Sequence, residues 1–183
     1  EERVRVAFDI AAALRYLHGL KIIYRDLKPE NVGFDIRGDV KIFDFGLAKE
    51  LKPEMIVRDD SIMDDRLYKL TGRTGTLRYM APEVVNKLPY NHKCDVFSFG
   101  IVFWEICAVQ HAFSGFNSKE HMTRVVQHGE RPHISNEWPC AIKNLIKLCW
   151  TESIKERCDF KEIYSVLRKE VVAFAPYEKG EKG

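Results

Sequence analysis

Eight residues, Tyr24-Arg-Asp-Leu-Lys-Pro-Glu-Asn31, constrain this chain more than any others. They pack two acidic groups, two basic groups and an amide between apolar strand candidates. Asn31-Val-Gly-Phe34 and Asp39-Val-Lys-Ile-Phe43 read as two strands joined by a polar turn containing Arg37-Gly38-Asp39. A hairpin brings its ends together, so Asn31 is expected near Asp44, the first residue of Asp44-Phe-Gly46. An amide oxygen and a carboxylate that converge in this way suit Mg²⁺, a hard cation that takes oxygen ligands and shares them with phosphates.

Around this hairpin the pattern is mainly helical. Val6, Ile10, Ala13, Leu14 and Leu17 repeat at helical spacing, which predicts a helix over about residues 3–18, with Gly19 as its C-terminal cap. The stretch 44–83 has little periodicity, and a loop of that length inside one domain is often functional. Residues 95–109 are strongly apolar and predict a central helix; further helices are expected over 118–128, 139–149 and 159–173. The fold class is therefore α+β, mostly helical, with short hairpins near the start. One domain is expected over residues 1–175, followed by a polar tail over 176–183.

The length of 183 residues suits a single domain with a real core. A net charge of +2 gives no electrostatic argument for nucleic acid or a membrane surface. The longest apolar stretch, residues 96–109, is too short to span a bilayer. Cys94, Cys107, Cys140, Cys149 and Cys158 form neither metal-ligand pairs nor an even framework, which points to buried, reduced thiols in a cytosolic or nuclear compartment; an intracellular setting is expected, cytoplasmic before nuclear. Trp104 and Trp150 read as core residues, and His18 as a residue suited to the dipole at the end of the first helix. The chain starts on Glu1 with the helical pattern already running, as expected of a sequence that begins inside a larger protein.

Five motifs, in order, resemble the C-terminal lobe of a eukaryotic protein kinase catalytic domain: Tyr24–Asn31, Asp44-Phe-Gly46, Gly75-Thr-Leu-Arg-Tyr-Met-Ala-Pro-Glu83, Asp95-Val-Phe-Ser-Phe-Gly100 and the late Arg157. The resemblance implies transfer of the ATP γ-phosphate to hydroxyls of protein substrates, with ATP and Mg²⁺ required. It implies that Asp26 orients the substrate hydroxyl and accepts its proton, that Lys28 faces the γ-phosphate, and that Asn31 and Asp44 bind the metal. Thr76 is similar to the threonine that bridges the catalytic aspartate and lysine, here Asp26 and Lys28. Phe45 is expected to pack, Gly46 to give backbone freedom, Asp95 to start the central helix and Glu83 to pair with Arg157. Arg25 is similar to an arginine that binds a phosphate on the activation segment. Thr74 and Thr71 lead the candidate acceptors, ahead of Ser61 and Tyr68.

Lys28-Pro-Glu30 and Thr76 favour serine or threonine as acceptor. Thr71-Gly-Arg-Thr-Gly-Thr76, Arg131-Pro132 and Cys149-Trp150 resemble the tyrosine-kinase-like group of serine/threonine kinases. The chain departs from the family pattern in three ways. Tyr24 replaces the usual histidine, yet can pack on Phe45 and bond to backbone. Gly33 stands near a leucine that lies beneath adenine, which predicts a thinner floor. The Gly-rich phosphate loop, the strand lysine and its helix glutamate are absent; they belong to an N-terminal lobe expected before residue 1, without which this piece alone is expected to be inactive. The alternative is a standalone lobe that acts as a scaffold or binding module.

Overall fold

Helix α1 (Glu2–Gly19) buries Val4, Ala7, Ile10, Ala11 and Leu14, residues three or four apart that share one face. A computed structural model of the chain describes residues 1–58 and 66–174. The expected polar tail and Ser61 lie outside the described residues. The helix runs through Gly19, which is not the left-handed cap. Leu20 still donates to the carbonyl of Tyr16, and the chain reverses at Lys21, φ 59°. Gly19 therefore supplies no cap: the left-handed residue is Lys21, two positions later.

Strand β1 (Ile22–Ile23) pairs antiparallel with β4 (Lys49–Glu50). Strands β2 (Val32–Phe34) and β3 (Val40–Ile42) form the expected hairpin, with Val32 opposite Ile42. The aperiodic stretch also contains β5 (Ile56–Arg58) and β6 (Leu67–Tyr68), which pair with each other. Tyr68 is buried and bridges to Tyr90, so its hydroxyl is a poor candidate for modification. A short helix α2 (Pro82–Val85) follows, with proline in its first turn, where the missing N–H costs nothing.

The centre of the fold is α3 (Lys93–Ala108), buried at every position from Cys94 to Glu105. A helix apolar on all sides must be covered on all sides. It is met by α1, by α5 (Cys140–Cys149) and by the turn Leu77–Tyr79. Helix α4 (Ser118–Glu120) opens on a capping box made by Asn117 and Glu120, and its axis continues as a π-wound segment, His121–Gln127. Helix α6 (Phe160–Phe174) packs on α1, where Phe8 meets Tyr164 with ring centroids 4.8 Å apart. Trp104 and Trp150 are in the core. Cys94, Cys149 and Cys158 are buried, but Cys107 is half-buried and Cys140 is exposed, because its position in the first turn of α5 faces solvent. Among the described residues no helix is long and apolar enough to cross a membrane.

Gly100 lets α3 and α5 approach each other. A Cβ there would sit 2.8 Å from Cys149 Cβ and 3.4 Å from the Trp150 nitrogen. Gly100→Val is expected to lower stability by about 1–3 kcal/mol through overpacking. Urea unfolding is the check: the midpoint falls while the slope is unchanged.

Candidate functional site

The polar loop after β1 is fixed from below by one buried carboxylate. Asp95, in the first turn of α3, accepts the backbone N–H of Tyr24 at 2.8 Å and of Arg25 at 2.7 Å. His18 Nε2 also donates to Asp95 Oδ2, at 2.8 Å. His18, in the last turn of α1 as expected, thus also pairs with a side chain. These bonds offset the cost of burying the carboxylate. They also hold Arg25 in the left-handed backbone region, φ 70°.

Asp26 projects from this fixed loop and is 8% exposed. Its Oδ1 accepts from the backbone N–H and the hydroxyl of Thr76, both at 3.1 Å. Its Oδ2 accepts from Asn31 Nδ2 at 3.1 Å and pairs with Lys28 Nζ at 2.9 Å. Lys28 Nζ also donates to Thr76 Oγ1 at 3.1 Å. Asp26, Lys28 and Thr76 therefore form a closed triangle, with Thr76 in contact with both charged groups. Four donors on one carboxylate leave it little rotational freedom.

The hairpin sets the other acidic group. Phe43 N–H donates to the Asn31 carbonyl at 2.9 Å, one register step beyond Val32 and Ile42. Asp44 is the next residue, so the hairpin delivers Asn31 and Asp44 to the same end of the strand pair. The Asn31 amide nitrogen also bonds to the Asp26 carbonyl at 2.9 Å, which commits that end of the amide to Asp26. Asp44 is exposed and takes the left-handed backbone, φ 54°. Its Oδ1 accepts from Gly46 N–H at 3.0 Å. The backbone freedom expected of Gly46 is thus exercised by Asp44. Gly46 has no left-handed φ, and a Cβ on it would lie 3.1 Å from Asp44 Oδ1.

Aromatic groups line the same end. Tyr24 donates its hydroxyl to the Phe43 carbonyl and meets Phe45 edge-on, with centroids 5.5 Å apart. Burial pushes the Tyr24 phenol well above its ordinary pKa, so it stays a donor. Gly33 does not leave the floor thin. A Cβ on it would be 2.7 Å from Phe43 Cε2, so the Phe43 ring already fills that space.

Arg25 gathers the segment that follows. Its Nε donates to the Leu47 carbonyl at 2.7 Å, and its Nη1 donates to Thr71 Oγ1 at 2.9 Å and to the Tyr90 hydroxyl at 3.2 Å. Tyr90 donates onward to the Thr71 carbonyl at 2.7 Å, and burial pushes its phenol up to about 12. Thr74 donates to the Thr71 carbonyl at 3.0 Å. Both threonines are therefore near the guanidinium, with Thr71 in direct contact. Farther along, Glu83 and Arg157 form a two-pronged pair at 2.7 and 3.3 Å. Arg157 also donates to the carbonyls of Lys93 and Thr151.

The roles of three residues escape sequence reasoning: His18, Tyr90 and Gly75. Gly75 carries a readable signal, a glycine between two threonines of the matched segment. Its φ is 104°, and a Cβ would lie 2.4 Å from the Arg25 carbonyl. Gly75→Ala is expected to push Thr76 off Asp26, because the clash is with backbone and left-handed φ disfavours alanine. Hydrogen exchange checks this: the Thr76 amide loses protection in the variant while amides of α3 keep theirs.

Among the described residues no group of three or more His, Cys, Asp or Glu side chains could hold a metal alone. Two oxygen donors at one strand end fit Mg²⁺, which keeps several waters and shares phosphate oxygens.

A family profile described as protein tyrosine and serine/threonine kinase matches residues 1–167. The chain is 36% identical over 169 residues to the serine/threonine/tyrosine-protein kinase HT1 of Arabidopsis thaliana, covering 92% of this chain and 40% of that protein. It is 36% identical over 166 residues to the serine/threonine-protein kinase STY17 of the same plant, covering 91% and 27%. A putative mitogen-activated protein kinase kinase kinase 7-like protein of Drosophila melanogaster is 35% identical over 189 residues, covering 98% and 43%. The chain thus spans about a quarter to two fifths of the length of these relatives.

Proposed function

Because the chain belongs to the protein tyrosine and serine/threonine kinase family, we propose that it is the catalytic lobe of a larger serine/threonine kinase that transfers the γ-phosphate of ATP to protein hydroxyls. The observation that carries this reading is the Asp26–Lys28–Thr76 triangle, placed beside the strand end that bears Asn31 and Asp44. The Asp26 carboxylate takes the proton of the acceptor hydroxyl, and its buried, four-bonded position holds it toward one face. Lys28 sits beside it as a positive charge for the transferring phosphoryl oxygens. Asn31 and Asp44 would hold Mg²⁺, which when bound neutralises phosphate charge. Thr76 keeps the aspartate and the lysine in register.

Serine or threonine as acceptor is supported by Lys28-Pro-Glu30 and by the Thr76 contacts. A second lobe above the site is supported by exposed apolar side chains along the hairpin, Phe34 and Ile36 at its turn and Phe43 and Phe45 at its open end, each at least half exposed. On this reading the missing lobe supplies the Gly-rich loop and lysine that hold the nucleotide, and the present lobe alone turns over no substrate. Arg25 is a docking point for a phosphate on Thr71 or Thr74, where a doubly charged group replaces a neutral hydroxyl contact.

The test is phosphoamino-acid analysis of substrates labelled by the parent kinase with Mg-ATP. Label is expected on serine and threonine, and label confined to tyrosine would reject the assignment. Thr71→Ala together with Thr74→Ala is expected to lower the activity of phosphorylated parent enzyme toward that of phosphatase-treated enzyme. Phosphatase treatment should then have no further effect on the variant.

A further inference from the structure

A cavity of about 490 Å³ opens where the C-terminal end of α1, strand β1, the start of β6 and the first turn of α6 meet. None of the residues of the proposed phosphotransfer site lines it. Among the described residues its wall carries Arg15, Lys21, Arg66 and Lys161, with His18 and His92, and one carboxylate, Asp159. That carboxylate is already committed. Asp159 Oδ1 accepts the backbone N–H groups of Lys161 at 2.8 Å and Glu162 at 2.9 Å, capping α6. Among the described residues, Arg15, Lys21 and Lys161 form no ion pair. Arg15 instead lies over the Tyr164 ring, 4.3 Å from its centroid.

His18 adds an independent observation. Its side chain is 9% exposed, and its ring is held edge-on by His92 and Phe160, with centroids 5.1 and 5.0 Å away. Nε2 is used by Asp95, yet Nδ1 is buried without any hydrogen-bond partner. A buried ring nitrogen left unpaired costs free energy unless a ligand reaches it.

We propose that this cavity binds a small polyanion bearing more than one phosphate group. The volume lies within the range of small-molecule sites, roughly 300–1,000 Å³, and a single phosphate would leave most of it empty. Guanidinium and ammonium groups around the rim match several phosphates, and the His18 ring forms part of the wall. Asp95, which does not line the cavity, connects its wall to the polar loop, since that carboxylate holds both His18 and the amides of Tyr24 and Arg25.

The experiment is calorimetric titration of the full chain with inositol hexakisphosphate, in EDTA so that no Mg²⁺ bridges the probe to Asp44. One-to-one binding is expected, weakening with added salt. Arg15→Gln with Lys161→Gln should weaken it by about tenfold or more. Lys143→Gln with Lys147→Gln on α5 removes the same charge elsewhere and should change affinity by less than about threefold. Lys21→Gln is the second variant, because it leaves the Arg15–Tyr164 contact in place. Absence of binding to the unsubstituted chain overturns the proposal, and so does equal weakening by the two double variants.

Discussion

Arg157→Ala is expected to remove about 3–5 kcal/mol of stability, the cost of leaving a buried charge without its partner. Glu83 is buried, and its carboxylate is met by Nη1 and Nη2 of an arginine whose side chain has no exposure. The same guanidinium satisfies the carbonyls of Lys93 and Thr151 and stacks over Phe97. Truncation therefore orphans several acceptors as well as one charge. Against a typical total of about 5–15 kcal/mol, such a loss unfolds much of the population near physiological temperature. Replacing both partners, Glu83→Leu with Arg157→Met, is expected to cost less than Arg157→Ala alone, since no charge is then stranded. Urea midpoints for the single and double variants decide the matter. Equal midpoints for Arg157→Ala and the unsubstituted chain would show that the pair holds nothing together.

Asp26→Asn is the second large effect, and it falls on chemistry. An amide cannot accept the acceptor hydroxyl's proton, and it presents an N–H₂ where Asn31 and Lys28 now donate. On the proposed role of Asp26 as general base, its loss is expected to lower phosphotransfer by about 10²–10⁴-fold. The fold should survive, because Asp95 rather than Asp26 anchors the loop. The check is kcat of the parent kinase beside its unfolding midpoint: a large fall in the first, little change in the second.

The helices were legible because their apolar spacing is local. The spacing over residues 3–18 corresponds to α1, and the apolar run after residue 95 to α3. The β2–β3 hairpin was legible from its turn, and with it the approach of Asn31 to Asp44. Contacts across long sequence separations left no periodic trace. The bonds from Asp95 to Tyr24 and Arg25 join residues about seventy positions apart, and each looks ordinary in its own neighbourhood. The pairing of β4 with β1 was equally hidden, because two-residue strands carry no alternation to read. Gly19 misled because glycine is a common cap, whereas here the chain reverses two residues later at Lys21. Gly33 misled in another way. Its missing side chain reads as empty space until the Phe43 ring is seen lying across it.

The central claim is that Asp26, Lys28, Asn31 and Asp44 form a Mg²⁺-dependent phosphotransfer site. Its most direct test is transfer of labelled γ-phosphate from ATP to a serine/threonine peptide mixture by the parent kinase, with Mg²⁺ and with EDTA, beside Asp26→Asn. The account predicts label on peptide only with Mg²⁺, and almost none from the folded variant. Transfer at an undiminished rate by Asp26→Asn would contradict it.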